Sequence, residues 1–190
     1  MAPFEFIIVF LSFIYALALT HLLLGFVGMV RRRRVLVVSW PHALWMLNAL
    51  LLLSGNWLSL WDFRGFDSMP LAFIAIGLVF SVLQYFLCAL VAPDFDDGGD
   101  DLRVFHQREG RTYIGLSLAM MIVALGVNLA AGGVGVKNWA NQNAIVLAML
   151  PTAALPLVMR ARWVQVAGPA VLAALQIAFM VIFYPTLTRA

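Results

Sequence analysis

Six apolar stretches, each about as long as a bilayer is thick and separated by short polar breaks, constrain this 190-residue chain more than any other feature. They run from Phe6 to Val30, Val35 to Trp61, Met69 to Ala92, Tyr113 to Ala131, Trp139 to Met159 and Trp163 to Leu187. About 20 apolar residues cross the hydrocarbon core as a helix, and only helices or closed barrels satisfy their own backbone groups in lipid. The expected fold is therefore all-α, a polytopic membrane protein with six transmembrane helices in a compact bundle and one integral domain over residues 1–190. Composition agrees. The chain is 64% hydrophobic and 11% charged, against about a quarter charged in soluble domains, so no soluble domain fits beside the spans. Pro151 and Pro156 interrupt the fifth stretch, and Asn141 and Asn143 sit near its start, so that span is expected to be kinked or partly re-entrant. The first apolar run is too long for a signal-peptide core and has no Lys or Arg before it; it is expected to stay as the first helix.

Four consecutive arginines, Arg31, Arg32, Arg33 and Arg34, set the expected orientation. Positive loops stay cytoplasmic. With this loop inside, the inner loops hold nine basic residues (the tetrad, Arg103, Arg108, Arg111, Arg160 and Arg162), and the outer side holds only Arg64, Lys137 and Arg189. Both termini are then periplasmic. Trp40, Trp57, Trp61, Trp139, Trp163 and Tyr184 fall near the expected helix ends, where amphipathic rings favour the interface. The net charge of +3 does not indicate nucleic acid, because the basic residues cluster at span ends rather than on a polar face. The tetrad is also a candidate site for anionic lipid head groups.

The segment from Pro93 to Thr112 is the one sizeable polar loop. Asp100 or Asp101 could cap a short amphipathic helix carrying Leu102 and Phe105, ended by Gly110 and lying at the cytoplasmic interface. Asp62 to Ser68 and Gly132 to Gln142 read as outer turns. Arg34 through Asn48 aligns without gaps on Arg162 through Gln176, pairing Pro41 with Pro169 and Asn48 with Gln176, a faint parallel repeat of two hairpins.

The spans are almost free of charge, which argues against a proton-driven carrier or a voltage sensor. They carry uncharged polar residues at helical spacing instead: Gly77, Ser81, Gln84 and Cys88; Ser117, Met121, Ala124 and Asn128; His42, Trp45, Asn48, Leu52 and Asn56; Gln165, Pro169, Leu172 and Gln176. Counting about 1.5 Å per residue places His21, Asn48, Ser81, Gln84 and Gln176 near the bilayer middle. These five are the candidate ligand-binding layer, and ordinary helix packing is the competing explanation. No cofactor, catalytic residue or metal site is expected. His21 and His42 differ in depth by about 6 Å, too much for two ligands of one haem. The acidic run from Asp94 fails as an EF-hand because its twelfth position is Phe105. His106 among loop charges lacks a nucleophile motif, and Cys88 is the single cysteine.

The run Leu90-Val91-Ala92-Pro93-Asp94, the short Gly/Asp stretch, Asp101-Leu102, and then His106 and Arg111 resemble small six-span bacterial membrane proteins of uncharacterised function. Phe4-Glu5-Phe6, the arginine cluster, and Trp57 with Trp61 fit the same family over roughly the first 115 residues. The resemblance implies a bacterial inner membrane and carries no site residues. Three functions stay open: a binding or permeation bundle for a small neutral or lipid-like ligand, a structural or accessory subunit bound to a homo-oligomeric or other membrane-protein partner, and a lipid-modifying enzyme.

Overall fold

The computed structural model describes residues 3–65, 69–95, 101–131 and 136–186. Among them are seven α-helices: α1 (Pro3–Arg31), α2 (Trp40–Ser59), α3 (Leu71–Val91), α4 (Leu102–Ala131), α5 (Val136–Gln142), α6 (Ala144–Val158) and α7 (Arg162–Phe183). A 3-10 turn, Leu60–Phe63, extends α2. Five helices are long and apolar enough to cross a bilayer, and α5 with α6 form a sixth candidate span bent by 71°. The chain is an all-α, multi-pass membrane protein.

Local chemistry sets the helix boundaries. The second span starts at Trp40 and not at Val35, because Ser39 is extended and its hydroxyl accepts the His42 N–H at 3.5 Å, while Pro41 occupies the first turn. Before it, the Val35 and Leu36 N–H groups both bond to the Arg32 carbonyl, closing the chain into a turn. Asp101 is the cap at the start of α4, its carboxylate accepting the N–H of Arg103 at 2.8 Å and of Val104 at 3.4 Å. The separate amphipathic helix expected beyond this cap does not exist as such. Residues 102–112 are the opening turns of a single 30-residue helix, about 45 Å long against a hydrocarbon core of about 30 Å. Gly110 does not stop it. A Cβ there would lie 3.2 Å from His106 Nδ1 and 3.6 Å from the Tyr113 hydroxyl, so this glycine makes room for that pair.

The fifth span breaks where its asparagines are, and its prolines stay inside α6. Asn143 directs both its backbone N–H (3.0 Å) and its side-chain amide (2.9 Å) to the Trp139 carbonyl, which ends α5. The prolines act later: Pro156 has no N–H to offer the Thr152 carbonyl, and α7 packs against α6 at that turn with Gly168.

The helices close a ring in the order α1, α3, α4, α6, α7, α2, with α2 pressed inward so that it also meets α3 and α4. At the arginine end, Val37 forms a parallel bridge with Asp101, and the Arg32 guanidinium lies over the Phe95 ring at 5.3 Å. At the far end, Tyr184 donates a hydrogen bond to Asp62 Oδ2 at 2.6 Å and Phe63 meets Phe73 edge-on. The half nearer the arginines is filled by Leu22, Trp45, Leu87, Leu102 and Tyr113, all fully buried. Phe6, Phe10, Phe13 and Leu24 of α1 remain exposed, as suits a surface whose solvent is lipid. Trp40, Trp57 and Trp163, near helix ends, are exposed too.

Candidate functional site

The far halves of the helices do not close on one another. α3 shows why: none of its first ten residues is buried, whereas Ser81, Gln84, Leu87, Cys88 and Val91 of its second half are. α5 and α6 are bent by 71° at Asn143, and Gly55, Gly77 and Ala124 give little side-chain bulk to the walls. What remains is a cavity of about 560 Å³, walled by residues of all seven helices. That volume falls within the roughly 300–1,000 Å³ of ordinary ligand pockets. The walls are mostly Ile, Leu, Met and Phe, and the mouth at the far end is marked by Asp62, Met69 and Tyr184.

Nearly every polar side chain on these walls is occupied by the protein itself. Asn56 of α2 donates to Gln84 Oε1 at 2.7 Å, and Gln84 turns its own N–H toward Cys88 Sγ at 3.5 Å. Asn128 donates to Asn143 Oδ1 at 3.0 Å, and Ser59 to the Gly55 carbonyl at 2.8 Å. Gln176 of α7 is different. It is only 4% exposed, and neither its Nε2 nor its Oε1 has a hydrogen-bond partner. A buried polar group left unpaired costs about 1–3 kcal/mol. Gln176 stands about 12 Å along α7 from Tyr184, so it lies deep in the cavity and not at its rim.

The other residues of the expected midplane layer lie elsewhere. Ser81 donates to the Gly77 carbonyl one turn back at 2.8 Å. Asn48 divides its amide between the Leu44 and Pro169 carbonyls, both at 2.8 Å, and so ties α2 to the proline turn of α7. His21 meets the Tyr85 hydroxyl at 3.1 Å between α1 and α3. Of the five, Gln176 lines the cavity, and Gln84 and Ser81 are each one hydrogen bond from it, through Asn56 and Tyr15. Asn56 belonged to the polar stripe read along the second span, but nothing in the sequence signalled that it would face empty space.

A second polar group joins the helices at the arginine end. His42 is fully buried, and its Nε2 bonds to the Val91 carbonyl at 2.9 Å, so it satisfies the end of α3. Gln165 donates its two N–H groups to the Pro156 and Met159 carbonyls, each at 2.7 Å, at the end of α6. Its Oε1 must then accept from His106 Nε2, at 3.3 Å, which leaves His106 Nδ1 to accept the Tyr113 hydroxyl proton. This neutral relay stitches α4, α6 and α7 together and is used up in doing so. In the tetrad, Arg31, Arg33 and Arg34 are exposed, while Arg32 is half-buried against Phe95. Among the described residues no group of three His, Cys, Asp or Glu side chains could hold a metal ion. The acidic run over 96–100 lies outside the described residues. The chain matches no protein-family model, no curated protein and no solved structure.

Proposed function

We propose that this protein is a ligand-binding bundle of a bacterial inner membrane, and that the far-half cavity holds a small neutral or lipid-like molecule. The observation that carries the reading is a mostly apolar cavity of ligand size whose lining includes Gln176, a buried amide without a hydrogen-bond partner. A structural subunit would need its polar stripes only for packing, and those of Asn48 and Ser81 do serve that way, but packing gives Gln176 nothing to bond. The filled half around Trp45, Leu87 and Tyr113 favours binding over an open pore.

The test is what the protein carries. Purified in a mild detergent and weighed intact by native mass spectrometry, the wild type should retain a small non-protein adduct. Gly77→Phe should lose it while staying monodisperse, because a Cβ at Gly77 lies 3.9 Å from its nearest neighbour, Leu11 Cδ1, and a ring there would fill the cavity. A wild type without adduct, or a variant that keeps it, removes the reading.

The arginine tetrad orients the bundle, with both termini periplasmic and the cavity mouth on the same side. Replacing all four arginines by glutamine should redistribute the termini across the membrane, read by accessibility of terminal tags in spheroplasts. An unchanged distribution would refute this assignment. The exposed arginines also suit anionic head groups, at about 1 kcal/mol per residue near the surface.

A further inference from the structure

The cavity has a second, lateral neighbour. A groove of about 270 Å³ runs between α3 and α4 on the outer face of the bundle, and its lining is entirely apolar. Three of its residues, Ile76, Phe80 and Val127, also line the main cavity, so these side chains form the partition between the two spaces. Val79 and Val123 line the groove only, and they are 59% and 43% exposed on the surface that meets lipid. The partition lies where α3 is least held: Ile76 and Phe80 belong to the ten residues of that helix with no buried member. The opening between α3 and α4 is therefore at hydrocarbon depth, about 8–13 Å along α3 from Leu71. An aqueous solute has no route through such a groove, whereas an acyl chain already in the bilayer lies against it.

We infer that the ligand is a bilayer-resident, single-chain amphiphile with a neutral head group that both donates and accepts hydrogen bonds, such as a long-chain alcohol, and that it enters sideways between α3 and α4 past Ile76, Phe80 and Val127. This rests on the proposed binding role of the cavity. The head group follows from Gln176, a residue of the cavity lining whose covered amide has no partner in the protein and carries both N–H donors and a carbonyl acceptor for a ligand that displaces the side chains over it. Asp62, the charged residue on the cavity wall, stands at the mouth and is engaged by Tyr184, so nothing charged faces Gln176 from the cavity lining. A charged head group would find no counter-ion at that depth.

The experiment uses a diazirine-bearing hexadecanol dispersed in phosphatidylcholine vesicles that contain the full chain. Photolabelling is followed in time, with labelled peptides mapped by mass spectrometry. Label should appear on α7 around Gln176 and on α2 around Asn56. Val79→Trp and Val123→Trp, which crowd the groove without touching the cavity, should each slow its appearance by about tenfold or more and leave the final level unchanged. Met69→Trp at the mouth should leave the rate as it is. Wild-type loading rates in both groove variants, or slowing by Met69→Trp alone, would overturn lateral entry while leaving the cavity as a site. Absence of label on α7 and α2 in the wild type would overturn the ligand class and the cavity reading together.

Discussion

Gly168→Val should lower the stability of the bundle by about 3 kcal/mol, the upper range for forcing extra carbon into a packed contact. The reason is the identity of what the side chain would strike. A Cβ on Gly168 would lie 2.8 Å from Pro156 Cγ and 3.0 Å from the Thr152 carbonyl oxygen. Neither can swing aside: one belongs to a closed ring, the other to helix backbone. α6 must then move off α7, breaking the reach of Gln165 to the Pro156 and Met159 carbonyls and, through it, the contact with His106. Gly168→Ala gives an internal scale. Its helix propensity gains about 1 kcal/mol over glycine, which offsets part of the clash, so the net loss should be near 1 kcal/mol. Thermal unfolding in detergent, followed by circular dichroism, should rank wild type above alanine and alanine above valine. A valine variant that melts with the wild type would mean that α6 and α7 are not seated this closely.

The spans were legible in the sequence because hydrocarbon imposes one length and one composition on every helix that crosses it. The fifth span was legible as irregular, but the proline signal pointed to the wrong residues. A proline tolerated inside a membrane helix leaves a carbonyl that a neighbour can approach, as Gly168 approaches Thr152, whereas Asn143 competes directly for the Trp139 carbonyl and ends the helix. Gly110 was legible as important and misread in kind, since clearance for His106 and Tyr113 depends on what packs there and not on chain direction. Among the polar residues, helical spacing found the inward faces of α2, α3 and α7. It could not tell which of them would be satisfied. Asn48 and Gln176 stand at equivalent positions of the faint repeat, yet the Asn48 nitrogen reaches the Pro169 carbonyl, leaving only its Oδ1 unpartnered, whereas neither polar atom of Gln176 reaches anything. Depth along a helix can be counted from sequence, but the gap beside the unburied first half of α3 cannot.

That difference gives the two amides opposite expected responses to the same substitution. Asn48→Leu removes two donors from the Leu44 and Pro169 carbonyls and should destabilise the protein by about 1 kcal/mol, within the roughly 0.6–1.7 kcal/mol measured for hydrogen bonds between membrane helices. Ligand retention should not change, since Asn48 does not line the cavity. Gln176→Leu removes an amide that has no partner to lose, so the ligand-free protein should become more stable, by about 1–3 kcal/mol. When ligand is present the order should reverse, because binding to the folded state alone adds stability in proportion to the logarithm of ligand over its dissociation constant, and the leucine variant forfeits the head-group bond. Melting curves of both variants, delipidated and after incubation with a long-chain alcohol, separate the possibilities. A Gln176→Leu protein that is less stable without ligand would show that the amide has a structural partner after all. One that is more stable with and without ligand alike would mean that the side chain recognises nothing in the cavity.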